Sequence, residues 1–68
     1  MEQARYWIAL FGKFGERSGI QRELGRHKDL KTARSVFRQL ISQYPDRLIM
    51  LCDRARVLAR SDRPETIP

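Results

Sequence analysis

Apolar and polar positions change rhythm along this chain, and each rhythm predicts an element. Between residues 29 and 44, DLKTARSVFRQLISQY, the residues Leu30, Ala33, Phe37, Leu40, Ile41 and Tyr44 recur at spacings of three and four, with Val36 at their margin. That period gathers them on one stripe of an amphipathic helix. Asp29 stands where an N-cap belongs: its carboxylate can accept an orphan backbone N–H and favours the positive end of the helix dipole. Pro45 disfavours a helical residue before it and ends the helix near Tyr44.

Elsewhere the pattern is that of strands. Residues 5–11, RYWIALF, are dense in aromatic, β-branched and long apolar side chains and stop at Gly12. Alternation directs Tyr6, Ile8 and Leu10 to one face and Trp7, Ala9 and Phe11 to the other, so both faces are apolar. The adjoining stretch GKFGERSG reads as a loop or wide hairpin turn. Residues 20–26, IQRELGR, read as a short strand with Ile20, Arg22 and Leu24 on one side and Gln21 and Glu23 on the other, Gly25 arguing against helix. Residues 47–60, RLIMLCDRARVLAR, read as two more strands. A two-residue turn at Asp53 and Arg54 sets Cys52 opposite Ala55, Met50 opposite Val57 and Leu48 opposite Ala59. Arg54 suits such a turn poorly, since its backbone favours Gly or Asn, which leaves a longer loop and a shifted register open. Residues 61–68, SDRPETIP, hold two prolines and no apolar period, and read as a mobile tail.

The order strand, strand, helix, strand, strand predicts one α+β domain over residues 1–60, a small antiparallel sheet with one amphipathic helix on one face. The other face needs a different cover. On this register it displays Trp7, Ala9, Phe11, Ile49, Leu51 and Leu58, with Arg56 and Arg60 at its margin, more apolar surface than a small monomer ordinarily leaves wet. Trp7, Phe11, Ile49, Leu51 and Leu58 are therefore the residues expected to form a protein interface, with a partner protein or with a second copy in a homodimer.

Composition bounds these readings. Sixty-eight residues make one small domain, and 41% hydrophobic with 32% charged residues is a globular balance. No apolar run approaches the ~18 residues of a membrane span. The N-terminal MEQARYWIALFG lacks a small-residue cleavage site and reads as mature sequence. The single cysteine, Cys52, cannot form an intrachain disulfide, which points to a reducing cytoplasm. Charge is the strongest deviation: 14 Lys and Arg against 8 Asp and Glu, a net +6. Most of the bases are Arg, which suits planar contact with phosphate or carboxylate. On the helix, Lys31, Arg34 and Arg38 lie in adjoining turns, and the only acid between 29 and 44 is the cap. Arg34 and Arg38 form a like-charge i,i+4 pair, which opposes folding by about a few tenths of a kcal/mol. With Gln39, Ser42 and Gln43 beside them, and Lys13 in the glycine-rich stretch, they make the alternative expectation: a basic nucleic-acid-binding module using Lys13, Lys31, Arg34 and Arg38.

Catalytic chemistry has no residue set to carry it. His27 and Cys52 are each single in their type and fall in different elements, too few for structural zinc and unordered as a nucleophile and base. Asp29, Asp46 and Asp53 sit at element ends, where caps and turns use them. The GKFG stretch has the glycine spacing of the backbone-clamping GxxG loop of KH-type RNA-binding domains, but that loop joins two helices and a strand precedes this one. No GxxxxGK phosphate loop is present. The sequence thus predicts a non-enzyme with no metal, cofactor or small-molecule substrate. Of the two binding expectations the apolar face is the stronger, because two-sided apolar strands need burial, whereas basic charge alone is a nonspecific sign.

Overall fold

A computed structural model describes residues 4–62, in which the chain forms β1 (Tyr6–Gly12), β2 (Gly15–His27), α1 (Leu30–Gln43), β3 (Ile49–Asp53) and β4 (Arg56–Arg60). The strands build one antiparallel sheet in the order β2-β1-β3-β4, and α1 packs on one face of it. This is the α+β fold, in the ββαββ order, that the apolar pattern predicts.

The helix forms where period and caps agree. Asp29 is extended and its Oδ2 accepts from both the backbone N and the Oγ1 of Thr32, each at 2.9 Å. At the other end Tyr44 donates its backbone N–H to Leu40 O, and Pro45 comes next. The helix lays Ala33 and Phe37 into the core, against Ile8 and Leu10 of β1 and Ile49 and Leu51 of β3. Leu30, Val36, Leu40, Ile41 and Tyr44 complete the stripe at its edges.

β1 is central and buried on both faces. Ile8 and Leu10 point to the helix, while Ala9 and Phe11 point away, into a second cluster with Leu48, Met50, Cys52 and the half-buried Trp7. The pairing of Trp7 with Cys52 and of Ala9 with Met50 across β1 and β3 aligns these residues.

Bulges and a turn produce three differences from the pattern read along the chain. First, β2 starts at Gly15, not at residue 20, so the hairpin turn is only Lys13 and Phe14. Phe11 pairs with Ile20 and Gly12 with Gly15, leaving residues 16–19 without partners in β1 and bending the strand. Ser18 folds back over Gly12, where an added Cβ would lie 2.5 Å from the Ser18 Cβ, so that position requires glycine. Further bulges at Gln21 and Leu24 break strict alternation: Ile20 joins the Phe11 face, whereas Arg22 and Leu24 join the helix face. Second, the β3–β4 turn is Arg54 and Ala55, one residue later than expected, so Asp53 pairs with Arg56 and Cys52 with Val57 in place of Ala55. Arg54 takes the left-handed backbone, φ 55°, that such turns require. Third, Ile49 and Leu51 are fully buried under the helix, and Leu58, extruded by a bulge, packs against the same cluster. They are core residues and not members of an uncovered face. Both faces of β3 are apolar, so alternation alone has no penalty by which to choose between them.

The expected tail is anchored at its start. Ser61 donates its backbone N–H to Ile49 O at 2.9 Å, and its Oγ accepts from Ile49 N, extending the sheet by one residue. Arg60 holds Asp62 through two guanidinium hydrogen bonds. The rest of the expected tail, residues 63–68, lies outside the described residues.

Candidate functional site

The sheet face away from the helix is sealed by its own long side chains. Trp7 donates its indole N–H to the Arg54 carbonyl at 2.6 Å, fixing its ring against the left-handed turn. Arg60, paired with Met50 on this face, reaches across to form an ion pair with Glu16 at the base of the β1–β2 turn. Its aliphatic stem can cover apolar surface while the charge stays wet. Beneath these, Ala9, Phe11, Met50 and Cys52 are buried. Of the expected interface residues, then, Phe11, Ile49 and Leu51 are core, Leu58 packs at the helix side, and Trp7 is half-buried and hydrogen-bonded. Among the described residues the exposed large apolar side chains are Phe14, at 73%, Ile20 and Val57. They do not form one patch: Ile20 is on β2 and Val57 on β4, the two opposite edges of the sheet, and Phe14 is in the hairpin turn.

Charge is distributed unevenly. The acids of the sheet are engaged by neighbouring arginines: Asp53 receives a two-pronged contact from Arg5 at 2.9 and 2.8 Å, Glu23 pairs with Arg26, and Glu16 and Asp62 pair with Arg60. The Arg5 hydrogen bonds hold the Asp53 carboxyl below the usual carboxylate range, and the Thr32 backbone N–H does the same for Asp29. The helix carries no acids of its own. Residues 30–43 contain no Asp or Glu, and Lys31, Arg34, Ser35, Arg38 and Gln39, with Leu30, line a shallow groove along the outward side of α1. Three of the four basic candidates thus come together, because their spacing of three and four matches the helical turn. Lys13 does not share the groove; it stands in the hairpin turn, whose neighbour Glu16 reaches to the other side of the sheet.

A second basic site is not visible along the sequence. Arg22 of β2 and Arg47 of the α1–β3 connection line one pocket with Leu10, Gln21 and Tyr44. One sits beside a bulge and the other in a loop, so only the fold brings them together.

The single Cys and His do not meet. Tyr6 pairs with His27 and the next residue, Trp7, with Cys52, which sets the two on opposite faces of the sheet. Burial pushes the Cys52 thiol up, away from the thiolate that nucleophilic chemistry needs. Among the described residues no three His, Cys, Asp or Glu side chains gather as metal ligands, and no helix is long and apolar enough to cross a membrane. Comparison with known protein families, with curated proteins and with solved structures finds no match.

Proposed function

We propose that this chain is a small, non-catalytic module that binds nucleic acid through the outward face of α1. The observation that carries the reading is the groove of Lys31, Arg34 and Arg38 on a helix whose own residues include no carboxylate. Keeping two arginines at i and i+4 is unfavourable for the isolated helix, and a row of phosphates opposite them would reverse the sign. Arg34 and Arg38 supply planar forks for phosphate oxygens, Lys31 a point charge, and Ser35 and Gln39 neutral donors beside them. Such contacts are to the backbone, so the binding is largely independent of sequence and falls with salt as counterions are released. A lone, buried Cys52 accords with a reducing cytoplasmic setting for this role.

An electrophoretic mobility shift with mixed-sequence DNA and RNA at low salt tests it. Retardation is expected at micromolar protein, lost in the Arg34→Glu/Arg38→Glu variant, while that variant melts no earlier than the parent. Absence of any shift at micromolar protein contradicts the reading. A second reading, docking on a partner protein or a second copy through the exposed Phe14 of the first hairpin, is tested by light scattering. A mass near twice 8.0 kDa, reduced by Phe14→Ser, would support it.

A further inference from the structure

The pocket between the C-terminal end of α1 and the bulged part of β2 brings together two arginines from separate elements, Arg22 and Arg47. Arg22 sits opposite Leu10 on the helix side of the sheet and donates from Nη2 to the Tyr44 hydroxyl at 3.2 Å. Arg47 enters from the connection before β3, donating Nε–H to Phe11 O at 3.0 Å and Nη2–H to the Gln21 side-chain carbonyl. Every one of these acceptors is neutral. Arg5, Arg26 and Arg60 each have a carboxylate; among the described residues neither guanidinium of this pocket does, and none of its lining residues is an acid. An adjoining groove shares Tyr44 and Arg47 with this pocket and is lined on its far side by Asp46 and Asp62, so the acids near Arg47 lie outside the pocket that Arg22 enters.

The plainest structural role for these arginines would be to neutralise the end of the helix. Their hydrogen bonds go instead to a phenol, an amide side chain and a strand carbonyl, with no helix carbonyl among them. The magnitudes also disagree. A helix C-terminus presents roughly half a negative charge, whereas two guanidinium groups bring two positive ones. Each guanidinium has five N–H donors, so most remain to meet a ligand, and the bonds already made fix the direction of both forks.

We propose that the Arg22–Arg47 pocket is a binding site for a phosphoryl group. Two oriented forks with hydroxyl and amide neighbours match a tetrahedral dianion, which would offset the mutual repulsion of the two arginines. The Tyr44 hydroxyl is a positioning group: it holds Arg22 and is itself within the pocket lining. This site lies apart from the helix groove, shares no lining residue with it, and does not depend on the nucleic-acid reading.

The test is an NMR titration of the arginine Nε–H resonances with inorganic phosphate, a 5′-mononucleotide and a dinucleoside monophosphate, each against chloride at matched ionic strength. Saturable shifts of Arg22 and Arg47 with phosphate but not chloride are expected, and the relative affinities distinguish a free phosphate or monoester from an internal diester as the source. Arg22→Gln should weaken binding about tenfold or more, the scale of one charged hydrogen-bonding partner. Arg22→Lys, which keeps the charge and loses the fork, should weaken it less while melting like the parent. Arg34→Glu/Arg38→Glu should leave phosphate binding unchanged, so loss of nucleic-acid binding and loss of this site can be told apart. No saturable shift with phosphate, wild-type affinity in Arg22→Gln, or equal weakening by the helix-face variant would each overturn the proposal.

Discussion

Truncating Phe37 to alanine tests the packing that holds the helix on the sheet. The ring is 2% exposed and is the only aromatic side chain in α1; it rests among Ile8, Ile49 and Leu51, all fully buried. Burying an aromatic side chain removes ~150–250 Å² from water, and at about 25 cal/mol per Å² that is about 4–6 kcal/mol. Phe→Ala substitutions in well-packed cores cost about 3–5 kcal/mol, in agreement with that area. At roughly 0.05–0.15 kcal/mol per residue the whole domain has only about 3–10 kcal/mol of stability. Phe37→Ala should therefore bring the protein close to unfolding in water. Urea denaturation monitored by circular dichroism at the helix band reads this directly: with a slope of roughly 1 kcal/mol per molar, the midpoint should fall by about 3 M or the folded baseline should vanish. A cooperative transition with its midpoint moved by less than about 1 M would refute the placement of Phe37 at the centre of the core.

The remaining predictions address register, turn and charge. Leu51→Arg should abolish folding, because it places a charge without a partner at a fully buried position, whereas Val57→Arg, at a 48% exposed edge position, should leave the melt nearly unchanged; circular dichroism separates the two. Arg54→Gly should stabilise by about 1 kcal/mol by relieving a left-handed backbone at a non-glycine residue, raising the thermal midpoint; a fall would show that the turn is not strained there. Asp29 and Asp53 both have carboxyls held below their ordinary value, by Thr32 and Arg5 respectively. Their contribution to stability is therefore complete above the unfolded aspartate value of about 3.9 and is lost as pH falls through the lower folded values. Asp29→Ala and Asp53→Asn should each flatten that acid limb, below about pH 4, in urea titrations.

Much of this fold is written in local pattern. The helix is legible from Asp29 to Tyr44 because its period, its cap and Pro45 all concern neighbours in sequence. The two faces of β1 are legible because alternation there runs unbroken from Tyr6 to Phe11. What alternation does not carry is a bulge. Gln21, Leu24 and Leu58 are each an extra residue opposite a partner strand, and each reverses the parity of the residues beyond it. The side on which Ile49 and Leu51 fall is illegible for a different reason. Leu48, Met50 and Cys52 are as apolar as Ile49 and Leu51, so a one-residue slip exchanges one hydrophobic set for another at little cost. Consequently the docking face expected from alternation draws on residues that belong to the core. The basic stripe of Lys31, Arg34 and Arg38 needs only the helical period and is legible in full. Arg22 and Arg47, 25 positions apart, share a pocket only because β2 bends and the α1–β3 connection returns beside it.

The most direct test of the helix-groove account is the salt dependence of nucleic-acid affinity, measured by fluorescence anisotropy with a labelled mixed-sequence duplex. If Lys31, Arg34 and Arg38 each neutralise one phosphate, the logarithm of the association constant should fall against the logarithm of salt with a slope of about −3. Arg34→Glu/Arg38→Glu should bring the slope toward about −1 and remove most of the affinity at low salt. A wild-type slope near zero, or a slope and affinity that the double substitution leaves intact, would contradict the assignment of the groove as the binding surface.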